Sequence, residues 1–111
     1  MIDNYEFGSI TIDGKRYDQD VIIYKGRVRE WWRDTSHNVS LGDIEDLMSE
    51  KPKTIIFGTG ASGVMKVPKE TQDFLIKAGI EVIVLKTGDA YKKFNSLSSS
   101  QDIAAALHLT C

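Results

Sequence analysis

Two strand-to-turn junctions limit what this chain can fold into more than any other feature. They are Thr54-Ile55-Ile56-Phe57-Gly58-Thr59-Gly60 and Glu81-Val82-Ile83-Val84-Leu85-Lys86-Thr87-Gly88. Each is a short apolar run that stops abruptly at Thr and Gly. Between them lies a helical pattern opened by Pro68, carrying Phe74, Leu75 and Ala78, and closed by Gly79. Proline suits the first helical turn, where its missing N–H is not needed, and glycine suits the left-handed residue after a helix. Strand, helix, strand in that order is a βαβ unit, which pairs its strands in parallel through a right-handed crossover. Strands expected at 54–58 and 82–86 therefore end at one carboxyl edge, the edge at which open α/β sheets bind ligands.

The rest of the chain adds to this unit. The segment 7–12 alternates like a strand, and Asp13-Gly14 is a strong two-residue hairpin signal. Val21-Ile22-Ile23-Tyr24 reads as a buried strand, and Lys25-Gly26 turns the chain into an alternating run over 27–33. An antiparallel meander of about three strands is expected from these patterns. Ser40 is a good N-cap for a helix bearing Leu41, Ile44, Leu47 and Met48, which must stop near Pro52. Residues 89–97 read as helical, with Ala90, Phe94 and Leu97 on one face. Ser98-Ser99-Ser100 breaks that helix, and Ser100 is positioned to cap a last short helix through Ala104-Ala105-Ala106-Leu107. The expected fold class is α/β (α+β): a three-layer single domain over 1–111. Its mixed β-sheet carries an N-terminal antiparallel meander, then the βαβ unit, then C-terminal helices.

Composition excludes several function classes. A formal net charge of −2 gives general nucleic-acid binding no electrostatic basis. Apolar runs four or five residues long fall far short of a membrane span. The opening Met1-Ile2-Asp3-Asn4-Tyr5-Glu6 is acidic and lacks an apolar block, so no targeting segment is read there. Cys111 is the one cysteine, which rules out an internal disulfide and makes a reducing cytoplasm the expected setting.

Gly58-Thr59-Gly60-Ala61-Ser62-Gly63 spells G-x-G-x-x-G directly after a strand. Dinucleotide binding needs the third glycine inside the opening helix and a carboxylate at the end of the second strand. Here Val64-Met65-Lys66-Val67 precedes the helix, and Lys86-Thr87 stands where the carboxylate belongs. The match is read as a decoy, and no cofactor is expected. A weaker reading survives, in which backbone N–H groups over 59–63 form an anion-binding nest with Thr87 and the helix start at Asp89. Lys66 or Lys86 would add charge. The competing reading is a glycine-rich turn with Thr87 as a simple cap. Asn95, polar beside the apolar stripe, is expected to bond to backbone and hold the second turn.

Arg27, Arg29, Trp31 and Arg33 fall on one strand face at period two, with Val28 and Trp32 expected in the core opposite. Such a strip resembles a single-stranded nucleic-acid platform, but on an acidic chain it reads better as a solvated face shielding a sheet edge. His37 lies in a polar turn and His108 in the expected terminal helix. With one cysteine and no carboxylate at helical spacing beside either histidine, no metal site is expected. No nucleophile elbow is present for serine hydrolase chemistry.

Several motifs together resemble a known family. They are Ile56-Phe57-Gly58-Thr59-Gly60, Gly79-Ile80-Glu81-Val82, Thr87-x-x-Ala90 with Phe94-Asn95-x-Leu97, and the closing Ala105-Ala106-Leu107-His108-Leu109-Thr110-Cys111. Trp31-Trp32 before the first helix belongs with them. The chain resembles, over essentially its whole length, a family of small single-domain α/β proteins first described from archaeal structural genomics. Its relatives include the human adipogenesis-associated domain protein and a mitochondrial assembly factor for respiratory complex I. The resemblance implies a three-layer fold around a mixed sheet and implies little chemistry. The family's G-x-G falls on Gly58 and Gly60 without Gly63. Where the mitochondrial branch carries Glu-Gly-Arg, this chain has Ser99-Ser100-Gln101, so that arginine's contacts do not transfer.

Two functional readings result. One is a non-catalytic binding or assembly module with a protein partner. The other is a small-molecule or anion site, enzymatic or not, at the carboxyl edge around Gly58, Thr59, Gly60, Thr87 and Asn95. No nucleic-acid or membrane partner is expected under either.

Overall fold

Both predicted two-residue turns have left-handed backbone at both central positions. Asp13 and Gly14 sit at φ 49° and 82°, and Lys25 and Gly26 at 50° and 75°, as the tight hairpins matching strand twist require. The computed structural model describes residues 1–99 and 101–111. The first turn joins β2 (Ser9–Ile12) to β3 (Lys15–Tyr17), and β2 also pairs antiparallel with β1 (Ile2–Glu6). The second turn joins β4 (Val21–Tyr24) to β5 (Arg27–Glu30).

The expected meander is thus divided between two sheets. β1, β2 and β3 form a sheet of their own, while β4 and β5 enter a five-stranded sheet of order β5-β4-β8-β6-β7. The βαβ unit is as expected in its pairing. β6 (Thr54–Thr59) and β7 (Glu81–Leu85) are adjacent and parallel, with Thr54 opposite Glu81 and Gly58 opposite Leu85. They are joined through α2 (Lys69–Lys77), which Gly79 follows at φ 87°. Leu75 is the buried anchor of α2, whereas Phe74, expected on the same apolar face, is half exposed. Ser40 opens a 3-10 turn at Leu41–Ile44 that runs into the short α1 (Glu45–Ser49). The Asp43 carboxylate reaches back to the Ser40 N–H at 2.8 Å, the reciprocal half of a capping box.

The expected final helix is a strand. β8 (Ile103–His108) is buried at every position and lies between β4 and β6, antiparallel to the first and parallel to the second. Alanine favours helix in isolation, but an apolar run without period three to four is also what a strand covered on both faces requires. Ala104 and Ala106 face one core cluster and Ala105 the other. The capping role expected of Ser100 lies outside the described residues.

Three layers result. On one side of the five-stranded sheet, Ile22, Tyr24, Ile55 and Phe57 pack with Leu47 of α1 and Leu75 of α2. On the other, Val21, Ile23, Ile56 and Leu107 meet Ala90 and Phe94 of α3 (Thr87–Leu97) and Ile2, Ile10 and Ile12 of the small sheet. The paired tryptophans are placed opposite to expectation. Arg27 and Arg29 stand opposite Tyr24 and Ile22, whose cluster also takes in Trp31 and Leu47 of α1, so the face expected in solvent is the one covered at Trp31. Trp31 is 4% exposed, packs near Phe57 and donates its indole N–H to the Asp43 carbonyl, while Trp32 is 70% exposed. Val28 is partly buried against the second cluster, in keeping with its expected core side.

Candidate functional site

The parallel register of β6 with β8 carries Gly58 opposite Leu107 and Thr59 opposite His108, so both strands end together at the carboxyl edge. A Cβ on Gly58 would stand 2.8 Å from both Leu107 Cδ2 and Thr87 Oγ1. Only glycine lets α3 begin that close to the sheet. Thr87 is fully buried there, and its hydroxyl donates to the His108 carbonyl at 2.6 Å and accepts the Gly60 N–H at 2.9 Å. The Thr87 N–H returns to the Gly60 carbonyl at 3.2 Å, and the Thr59 hydroxyl donates to the Leu85 carbonyl.

Four of the five residues expected to form a site, Gly58, Thr59, Gly60 and Thr87, are therefore brought together, but their donors are not unpaired. The chain's C-terminal segment lies across the glycine turn. Ala61 N–H donates to the Thr110 carbonyl at 2.7 Å, and the Ser62 and Val64 N–H groups donate to the Cys111 oxygen at 3.2 and 3.1 Å. Gly60, at φ 102°, packs so tightly on Thr110 and Cys111 that no Cβ fits. Within the expected nest, the Gly60, Ala61 and Ser62 amides are thus taken by the protein's own oxygens. Asn95 is not part of this junction. Two turns further along α3, it exchanges hydrogen bonds with the N–H and carbonyl of Ile2 at 2.9 and 2.8 Å and pins β1 to the helix. Its expected bonding to backbone is found, but to Ile2 of β1 rather than to the second turn. The Lys66 main chain pairs with His37 and Val39, and the Lys86 side chain passes beside Gly63.

Adjoining the junction is a polar cluster that sequence reasoning missed. Asp20 precedes β4 and His108 ends β8, and the antiparallel pairing of these strands sets the two residues side by side. Asp20 Oδ1 accepts the Leu109 N–H at 2.7 Å, and Oδ2 lies 2.8 Å from His108 Nδ1 and 2.7 Å from Arg33 Nη2. A carboxylate only accepts, so the proton of this bond belongs to Nδ1. Arg33 spends the two Nη2 hydrogens on Asp20 and the Ser36 carbonyl, so its 3.1 Å approach to Nδ1 is a contact rather than a second bond. Burial pushes the Asp20 carboxyl up. The bonds from His108, Leu109 and Arg33 and the His108 charge outweigh that effect and hold it below its ordinary value. The Arg33 guanidinium, 4% exposed as a side chain, stacks 4.4 Å from the Trp31 ring, and its Nη1 is buried with no hydrogen-bond partner among the described residues. His37 meets His108 edge-on at 5.5 Å.

The basic-aromatic strip is consequently not a strip. Arg27 and Arg29 each reach Glu50 at 3.2 Å, Trp31 is in the core and Arg33 is buried on Asp20. The cluster orients an imidazole, yet among the described residues His108 Nε2 has only the Thr110 hydroxyl as a hydrogen-bond partner, at 3.4 Å, and Arg33 shares the carboxylate oxygen that supports the ring. That is the geometry of a paired buried charge rather than an activated nucleophile. Among the described residues, no group of three or more His, Cys, Asp or Glu could hold a metal ion. The third glycine of the G-x-G-x-x-G match stands well outside α2, which begins at Lys69.

Comparison with known proteins agrees with this architecture. A family model described as "Protein of unknown function (DUF498/DUF598)" matches residues 2–108, and the chain belongs to that family. Among solved structures, the conserved hypothetical protein PH1505 from Pyrococcus horikoshii OT3 is 29% identical with a TM-score of 0.92, over 100% of this chain and 99% of that one. A protein named MT938 is also 29% identical, with a TM-score of 0.84 over 100% and 98% of the two chains. An outer membrane protein from Bartonella henselae shares the fold at 21% identity and a TM-score of 0.84, covering 99% and 94%.

Proposed function

We propose that this member of the DUF498/DUF598 family is a non-catalytic binding or assembly module that works in the cytoplasm through a protein partner. One observation carries the reading. The carboxyl edge, where an α/β sheet would hold a substrate, is occupied by the chain's own residues Thr110 and Cys111, hydrogen-bonded to Ala61, Ser62 and Val64. A ligand there would have to displace paired backbone. The single cysteine fits a reducing compartment, and no described helix is long and apolar enough to cross a membrane.

A second reading is favoured by the buried Arg33 Nη1 beside Asp20 and His108, which has no hydrogen-bond partner among the described residues. An arginine N–H without an acceptor is costly, and a small anion or a water would satisfy it. Co-purification from the native host, with mass spectrometry of bound proteins and bound small molecules, separates the two. A stoichiometric protein partner supports the module. A bound anion whose retention depends on Arg33 favours the alternative.

A further inference from the structure

Trp32 is the largest apolar side chain this protein leaves in solvent, 70% exposed beside a neighbour that is almost fully buried. It stands at the end of β5, over a groove of about 410 Å³ between that strand and the segment that forms α1. Arg29, Glu30, Asp43, Glu45 and Asp46 share the groove with it. Four carboxylates thus stand against one guanidinium, and that guanidinium is already turned to Glu50 at 3.2 Å. Asp43 is engaged with the N–H groups of Asp34 and Ser40, but Glu30, Glu45 and Asp46 form no ion pair among the described residues. β5 is also an outer strand of its sheet, so one row of its backbone groups is open to pairing.

These three features ask for one kind of occupant. An exposed indole face attracts cations, unpaired carboxylates select positive charge, and a free strand edge accepts extended backbone. We propose that the groove between β5 and α1 docks an extended lysine- or arginine-bearing segment of a partner protein, with Trp32 as its stacking platform. This rests on the reading of the chain as a binding module and names the surface and the chemistry of its partner. The negative lining disfavours nucleic acid.

The test uses the full chain and a fluorescein-labelled peptide of alternating lysine and valine, with an alternating glutamate and valine peptide for comparison. Fluorescence anisotropy should show binding of the first and not the second. Trp32→Ala should weaken binding at least about tenfold, the scale of one lost cation–π contact with its apolar area. The double variant Glu45→Lys, Asp46→Lys should abolish it. Glu70→Lys with Asp73→Lys, an equal change in charge on α2, should leave it intact. Circular dichroism confirms that each variant is folded. Equal loss in the α2 double variant, or no loss in Trp32→Ala, overturns the proposal, because attraction would then be to net charge alone. A Trp32-dependent dimer seen by sedimentation in place of peptide binding also overturns it, in favour of a contact between copies. If a host protein co-purifies equally with wild type and Trp32→Ala, this surface is refuted and the module reading survives. If wild type retains no host protein, the module reading itself fails.

Discussion

The Thr87 hydroxyl lies 2.6 Å from the carbonyl oxygen of His108, and through that one bond the first turn of α3 is fastened to the end of the central strand. The Thr87 hydroxyl oxygen also accepts the Gly60 N–H at 2.9 Å, so a single buried side chain joins both strand-to-turn junctions to β8. The carboxyl edge is closed by this hydroxyl and by the C-terminal segment together.

Replacing Thr87 by Val keeps the shape and leaves the His108 carbonyl and Gly60 N–H buried without their partner. The expected loss is about 2–3 kcal/mol, the desolvation cost of such orphaned groups. Urea denaturation of Thr87→Val beside Thr87→Ser measures it. Equal stability of the two variants would show that the hydroxyl is dispensable.

Asp20 gives the fold a specific acid sensitivity. Its folded pKa lies below its unfolded value, so the unfolded chain binds more protons in acid. The stabilisation is complete above the unfolded pKa of about 3.9 and is lost as the pH falls through the lower folded value. Asp20→Asn should cost about 3 kcal/mol near neutral pH, because it leaves Arg33 buried without its counter-charge. The variant should also show a flatter acid limb than wild type. Denaturation midpoints across an acid series test both, and an unchanged acid limb would assign the sensitivity to other carboxylates.

Gly60→Ala attacks the seal from the other side. The left-handed φ of 102° and the contact with the Cys111 backbone leave no room for a methyl group. The C-terminal segment should lift away, and the Ala61, Ser62 and Val64 amides should exchange with solvent much faster while those of β4 stay protected. Uniformly faster exchange would mean global destabilisation instead of local opening.

Dinucleotide binding should be absent. Gly63 precedes α2 without entering it, and Lys86 and Thr87 follow β7 where a ribose-binding carboxylate would stand. Calorimetric titration with NAD and with NADP should give no binding heat, and micromolar affinity for either would overturn that reading.

What could be read along the chain were the features made by near neighbours. The hairpin turns at Asp13-Gly14 and Lys25-Gly26, the glycine after α2 and the parallel pair β6 and β7 depend on backbone freedom and local period. So did the meeting of Gly58, Thr59, Gly60 and Thr87, since a βαβ unit delivers both strand ends to one edge. Trp31 and Trp32 exchange their expected places because local period marks the two faces of a strand but not which of them another layer covers.

The sequence by itself determined the βαβ unit, its turns and the edge at which its glycines and threonines converge. Only the tertiary structure decided that Ala104, Ala105 and Ala106 form a strand, since burial between β4 and β6 outweighs alanine's preference for helix. With that strand in place, His108 reaches Asp20 and Arg33, and Thr110 and Cys111 close the edge. Those partners are far apart in the chain. Side chains so separated meet only when sheet order and register bring them together, and neither is written in local pattern.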